Sequence, residues 1–377
     1  MQLNDSIVAF RADASQQIGT GHVMRCLTLA DSLRNRGAAC HFICRPQSGN
    51  LVDLIQRSGY PVRTLPQIGQ SDSVPEPENP GPTYATWLQT DQATDASETS
   101  EALAEIRPDW LIVDHYAIDA RWEQAVRARI RSLMVIDDLA DRPHDCDLLL
   151  DPNLSREPGN YSGLLPPGCE TLTGEDFALL RPEFAELRQV SLQRRKLPRL
   201  KSLLVSMGGA DRDNNTSVAL KALNECPMPA DCQVTVVLGS TTPWLTKVEE
   251  VVSTLKWDAR VLNGSDEMAR IMSQSDLAIG ACGVTGMERA CLGLPSIMLE
   301  TADNQAPFLA AFEARGLAVT APGFQYQSEN EKRVTISQLF RKALNGENNP
   351  ITIDSNIDGL GSERVADAIA ALTKNRS

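Results

Sequence analysis

Short apolar runs recur along the chain, and between them apolar residues return every three or four positions. In the first half the runs fall at 7–10, 39–43, 61–65, 110–113, 133–136 and 147–150. Brief apolar runs are the mark of buried strands, and the three-to-four spacing is that of amphipathic helices. Their alternation predicts a parallel sheet flanked by helices. Ile7-Val8-Ala9-Phe10 opens the series, and Val23, Cys26, Leu27, Ala30 and Leu33 then mark one helix face that ends by Gly37. A second series of strands is predicted at 202–206, 234–238, 259–262, 276–279 and 296–299. The fold class is therefore α/β, with two doubly wound Rossmann-like domains over 1–187 and 202–360 facing a cleft, and a closing helix in 361–377. The polar, basic stretch 188–201 is the expected linker. Between Pro66 and Ser100, Pro, Gly, Asp, Ser and Thr break the pattern, which predicts a long surface loop regaining helical character near Asp95–Ile106.

Composition narrows the class. With 377 residues the chain is long enough for two ordinary domains. Its 42% hydrophobic and 23% charged residues are those of a soluble globular protein, and no apolar run reaches the roughly 18 residues of a membrane span. No basic-then-apolar leader precedes the first strand, so a cytoplasmic location is expected. Nine scattered cysteines without a Cys-x-x-Cys pair suit reduced, packed thiols. A net charge of −13 argues against nucleic acid or an anionic membrane as partner. A small anionic substrate held by backbone amides remains open.

The chemistry concentrates at strand-to-helix junctions, where ligands of open α/β sheets bind. Arg11 to Cys26 joins the first strand to the first helix through Gly19-Thr20-Gly21-His22. His22 falls in the first helical turn, where the helix dipole disfavours imidazolium and a neutral ring can act as general base. A tight turn with His22 as a hydrogen-bonded cap is the alternative. The loop lacks the third glycine of a dinucleotide fingerprint and the Gly-Lys-Ser/Thr of a Walker loop. Asp114, His115 and Tyr116 follow another strand and would share the same edge. His41 reads as a structural strand residue, and the four histidines are too scattered for a zinc cluster.

In the second domain Gly208 and Gly209 follow a strand and allow backbone amides to approach a phosphate, and Gly283 before Thr285 repeats the device. Glu288, one turn beyond Thr285, could hold two vicinal ribose hydroxyls or be a paired structural acid. Asn304 and Gln305 could reach sugar or phosphate or cap a helix. Asp211-Arg212-Asp213 has the look of a metal site, but beside a helix entrance an acidic N-cap is the commoner role. No metal and no cofactor are expected.

The run Arg11-Ala12-Asp13-Ala14-Ser15 with Ile18-Gly19-Thr20-Gly21-His22-Val23-Met24-Arg25-Cys26 resembles the N-terminal signature of PseG and SpsG, the nucleotide-sugar hydrolases of pseudaminic acid and related surface-polysaccharide biosynthesis. Val113-Asp114-His115-Tyr116, Ile136-Asp137-Asp138-Leu139-Ala140, Leu150-Asp151-Pro152-Asn153, Leu179-Leu180-Arg181-Pro182-Glu183-Phe184, Met207-Gly208-Gly209-Ala210-Asp211, Gly283-Val284-Thr285 with Glu288, and Asn304-Gln305 extend it in order over nearly the whole chain. The resemblance implies a GT-B fold similar to that of the glycosyltransferase MurG, with sugar over the first domain and UDP in the second. It implies metal-independent hydrolysis of UDP-2,4-diacetamido-2,4,6-trideoxy-β-L-altrose, with His22 catalytic, Asp13 a sugar or water contact and Glu288 a ribose binder. The implied partner is this UDP-sugar, together with neighbouring enzymes of the pathway. UDP-dependent glycosyl transfer is the rival activity on the same fold, and a nucleotide-sugar sensor without turnover is a second rival.

Overall fold

The structure is a computed structural model describing residues 2–67, 81–154, 156–195, 200–209, 211–239, 242–345 and 355–376. The chain forms two units, one built from Met1–Leu179 with Leu360–Ser377, the other from Leu180–Gly359.

In the first unit β1 (Ile7–Ala12), β2 (Ala39–Cys44), β3 (Val62–Thr64), β4 (Trp110–Asp114), β5 (Ser132–Ile136), β6 (Leu148–Asp151) and β7 (Glu170–Thr173) form one sheet in the order β3-β2-β1-β4-β5-β6-β7. Every pairing is parallel. Helices α1 (Gly21–Arg34), α2 (Val52–Arg57), α3 (Gln92–Ile106) and α4 (Ala120–Val126) make the crossovers. Alternate strand residues feed opposite faces. Val8, Phe10, Phe42 and Ile112 pack with Val23, Leu29 and Leu33 of α1, whereas Ala9, Ile43, Leu111 and Val113 pack with Leu103 and Trp122 from α3 and α4. Strand order reverses between β1 and β4, so their diverging loops open a crevice at the carboxyl edge. Those loops carry Asp13 to Thr20 and His115 to Asp119.

The second unit follows the same plan with β8 (Ser202–Ser206), β9 (Gln233–Leu238), β10 (Ala259–Asn263), β11 (Leu277–Ala281), β12 (Ser296–Leu299) and β13 (Val319–Ala321) in the order β10-β9-β8-β11-β12-β13. Its helices are α5 (Pro182–Arg194), α6 (Asn215–Asn224), α7 (Leu245–Val252), α8 (Met268–Gln274), α9 (Val284–Cys291), α10 (Ala306–Ala314) and α11 (Glu329–Leu344). Here the order reverses between β8 and β11, which places the Gly208-Gly209 and Gly283 loops at its crevice.

The stretch 188–201 is not simply a linker. Residues up to Arg194 are helical in α5, and this helix belongs to the second unit. Its polar side chains reach carbonyls at the ends of α8 and α9: Ser191 Oγ donates to Leu292 O at 2.7 Å, Arg195 Nη1 to Ser275 O at 2.7 Å, and Arg188 to Cys291 O. These carbonyls have no partner within their own helices, and the chain passes between units at Leu179–Leu180. Residues 196–199 of that stretch lie outside the described residues. The closing helix α12 (Gly361–Arg376) returns to the first unit, where Val365 and Ile369 enter the core beside Trp110. Trp110 Nε1 donates to Thr373 Oγ1 at 2.8 Å.

Strands β7 and β13 were not among the predicted ones. Glu170-Thr171-Leu172-Thr173 carries one buried apolar residue on an edge, and β13 is three residues long, so neither produces an apolar run. Of the long loop, residues 68–80 lie outside the described residues, Ala85–Leu88 form a single 3-10 turn, and α3 begins at Gln92, three residues ahead of expectation. The Asp91 side chain accepts from Thr94 N at 2.8 Å and caps that helix. Among the described residues no helix is long and apolar enough to cross a membrane.

Candidate active site

The β1–α1 junction folds for local reasons. Ser15 Oγ accepts from the Gln17 and Ile18 amides at 3.2 and 3.0 Å, and Gly19 N donates to Ser15 O at 2.8 Å. This reversal carries Gly19 to φ +84°, a conformation glycine alone adopts without strain. Gly19 thus turns the chain and spends its amide internally, and Gly21 is the first residue of α1. His22 follows, 7% exposed, in the first turn.

His22 Nδ1 lies 2.5 Å from Asp114 Oδ1. Asp114 is the last residue of β4 and fully buried. Burial alone would raise its pKa, but the Arg25 guanidinium and His22 outweigh burial and hold the carboxyl well below the usual range. An ionised carboxylate only accepts, so Nδ1 carries the hydrogen and Nε2 is the ring's acceptor. Arg25, one turn beyond His22 on α1, grips the same carboxylate with Nε and Nη2, each at 2.6 Å, and extends Nη1 to Asp138 Oδ2 at 2.8 Å. Tyr116 meets the imidazole edge-on at 4.6 Å between centroids, and Trp87 does so at 6.3 Å. The arrangement is a histidine oriented by a buried carboxylate, with aromatic rings at its side; a ring held in this way has the geometry that general-base chemistry requires.

Asp13, expected at sugar or water, lies instead in a buried ion-pair network. Its Oδ1 accepts from Arg11 Nη1 at 2.6 Å and from Arg45 N at 2.7 Å, and its Oδ2 faces His115 Nε2 at 3.4 Å. Against the upward push of burial, Arg11 and His115 keep it well below the ordinary carboxylate range. Asp95 completes the network by pairing with Arg11 and Arg45, at 2.8 and 2.7 Å. The Asp13 side chain has no exposed surface, and the Arg11 guanidinium and the Arg45 amide hold its Oδ1. His115 is likewise buried, and its Nδ1 accepts from Ala117 N at 3.1 Å.

In the second unit Gly208 has φ +83°, and the Gly209 carbonyl lies so close to Gly239 that a Cβ on Gly239 would meet it at 1.8 Å. These glycines permit two loops to touch. The start of α6 is occupied by protein: Asp211 accepts from the Asn215 and Thr216 amides at 2.8 and 3.0 Å, and Asn214 Oδ1 from Ser217 N at 3.3 Å. Asp211 thus caps the start of α6 together with the N-cap Asn214, and the amides of Asn215, Thr216 and Ser217 are taken by these side chains. The start of α9 is different. Gly283 precedes it with φ +149°, and no side chain caps it. Thr285 lies in its first turn. Glu288 is 8% exposed, 3.7 Å from Arg181 Nη2; burial raises its pKa, with Arg181 and Arg289 opposing. The buried Arg289 donates to Ala281 O at 2.8 Å and so holds the strand end that leads into this helix. Gln305 Oε1 accepts from Thr301 N at 2.9 Å, while Asn304 shares the same 3-10 turn and is half-buried.

The His22–Asp114–Arg25 assembly was only partly visible beforehand. Asp114 ending an otherwise apolar strand and Arg25 three residues after His22 on one helix face were the available signals. Trp87 and Tyr84 had none, lying in an aperiodic loop. Among the described residues no group of three or more His, Cys, Asp or Glu side chains could hold a metal ion.

No family model matches the chain. It is 28% identical over 272 residues, covering 72% of this chain and 83% of the relative, to the UDP-2,4-diacetamido-2,4,6-trideoxy-beta-L-altropyranose hydrolase of Campylobacter jejuni. It is 27% identical over 146 residues to the spore coat polysaccharide biosynthesis protein SpsG of Bacillus subtilis, covering 39% of this chain and 42% of that one. Among solved structures, MurG of Acinetobacter baumannii superposes with a TM-score of 0.62 at 14% identity, covering 97% of this chain and 99% of that one. The fold is that of the GT-B proteins, and in its ordered motifs the chain is similar to PseG and SpsG.

Proposed function

We propose that the protein is an enzyme of pseudaminic acid biosynthesis that hydrolyses a UDP-linked 2,4-diacetamido-2,4,6-trideoxyhexose of L-altro configuration to UDP and the free sugar, without a metal ion. The observation that carries this reading is the 2.5 Å pairing of His22 with the buried Asp114, which leaves Nε2 as a proton acceptor. His22 Nε2 takes a proton from water as the water oxygen attacks the anomeric carbon. The bond from that carbon to the diphosphate oxygen breaks, and UDP leaves with the electron pair. Attack opposite the leaving group inverts the anomeric centre.

UDP is a good leaving group once its charge is met, and the second unit offers the means. The uncapped start of α9 at Gly283, Val284 and Thr285 suits a diphosphate through its amides and helix dipole. In this reading Glu288, one turn on, accepts from two ribose hydroxyls, and Asn304 and Gln305 supply amides for sugar or phosphate. Gly208, Gly209, Gly19 and Gly21 serve by shaping the loops. The similarity to a relative named for this hydrolysis supports the substrate.

The test is incubation of the UDP-sugar with pure protein and EDTA, without any acceptor, resolved by anion exchange. Equal amounts of UDP and free sugar are expected. Intact substrate, or turnover that appears only with an added acceptor and yields a glycoside, overturns hydrolysis in favour of transfer.

A further inference from the structure

Beside His22 stands a group of aromatic rings that proton abstraction does not need. Trp87 stacks on Tyr116 at 5.5 Å and 23°, Tyr84 lies 4.6 Å from Trp87 and 5.4 Å from Tyr116, and Tyr116 in turn meets His22 edge-on. Tyr116 is buried, whereas Tyr84 and Trp87 are half-buried and keep part of their rings open. The turn that carries them is fixed on the protein: Leu88 is buried, and the buried Gln47 side chain donates to Trp87 O at 2.8 Å. The rings are held in place and are not a collapsed surface cluster.

We propose that Tyr84 and Trp87, backed by Tyr116, form an apolar wall that selects sugars bearing a methyl group at C6 over sugars bearing a hydroxymethyl group there. The inference rests on the reading above only in placing the sugar beside His22. Aromatic faces reward buried C–H surface and offer no lone pair or N–H to a hydroxyl. A hydroxymethyl group pressed against them loses water without replacement, whereas a methyl group gains contact. Hydrophobic walls of this kind discriminate an added hydroxyl by roughly ten- to a hundredfold.

Two UDP-2-acetamidosugars that differ only at C6, methyl against hydroxymethyl, provide the probe. Isothermal titration into full-length His22→Asn protein measures affinity with turnover blocked. We expect the methyl sugar to bind about tenfold or more tightly, the preference to collapse toward unity in Trp87→Ala and Tyr84→Ala made in that background, and to survive in Trp87→Phe. Circular dichroism melting identifies any variant that fails to fold, and the Phe variant then carries the comparison with Tyr84→Leu. Equal affinities in the His22→Asn protein, or a preference that persists in the folded non-aromatic variants, overturn the proposal. Hydrolysis of UDP-2,4-diacetamido-2,4,6-trideoxy-β-L-altrose by wild-type protein is scored separately. Its absence alongside a clear affinity preference sinks the hydrolase reading and leaves the wall standing.

Discussion

Asp114 and His22 are 92 residues apart in the chain and 2.5 Å apart in space, joined because β4 lies next to β1 and ends level with the start of α1. Replacing Asp114 by Asn preserves shape but lets Nδ1 become the acceptor, so Nε2 no longer takes a proton. We expect kcat to fall by roughly 10³–10⁴, with UDP affinity unchanged by titration. His22→Asn should lose roughly 10²–10⁴ in the same manner. Near-normal kcat in either variant removes the base from the mechanism.

Arg25 approaches His22 Nδ1 to 3.5 Å through Nη2 while neutralising Asp114. Around the imidazole the charged groups are Asp114 from β4, Arg25 from the same helix and, through Arg25, Asp138; Tyr116 and Trp87 supply neutral rings. Removing the cation takes away the main charge that holds the Asp114 carboxyl below the usual range, so this carboxylate, and with it the orientation of the ring, is lost to acid at higher pH. In Arg25→Met the acidic limb of the kcat/KM profile should therefore move to higher pH, and Arg25→Lys should move it less. A variant with reduced rate but an unmoved limb would show that Arg25 serves folding alone.

For Glu288→Gln the expectation is the opposite kinetic pattern. UDP affinity should weaken by roughly tenfold, the scale of one charge-assisted hydrogen bond, with a smaller change in kcat at saturation. Unaltered UDP affinity by titration would return Glu288 to a structural acid paired with Arg181.

A second histidine governs stability instead. His144 Nδ1 lies 2.7 Å from Glu123 Oε1, with Asp137 beyond Nε2 at 3.8 Å. Burial works to lower its pKa, yet Asp137 and Glu123 override burial and raise it to about 9 from 6.5. The folded value exceeds the unfolded one, so its contribution is complete below about pH 6.5 and disappears as pH rises through about 9. At roughly 1.4 kcal/mol per pKa unit that contribution is at most about 3.5 kcal/mol. Urea unfolding at pH 6 and pH 9.5 should show a smaller alkaline loss in His144→Gln than in the parent. Equal losses would contradict the ion pair.

The strands with apolar runs were legible because buried parallel strands need such runs, and the β1–α1 junction was legible because a glycine turn before a periodic helix leaves few alternatives. What escaped depends on distance. Nothing near Asp13 in sequence announces that Arg45 and Asp95 will converge with it and turn a candidate ligand into a buried ion-pair partner. Nothing near Asp211 except its position at a helix entrance said that it would cap α6. Trp87 reaches His22 through an aperiodic loop, where no hydrophobic period fixes its location. The edge strand β7 was missed because its outer residues owe the core nothing.

The return of α12 to the first unit has a consequence for synthesis. The second unit is complete in one uninterrupted stretch, while the half holding His22 waits for Val365 and Ile369 to seal the face around Trp110. At roughly 5–20 residues per second a ribosome spends many seconds making the intervening segment. The half made first is thus finished last, and until then its open core is what a chaperone or protease would find.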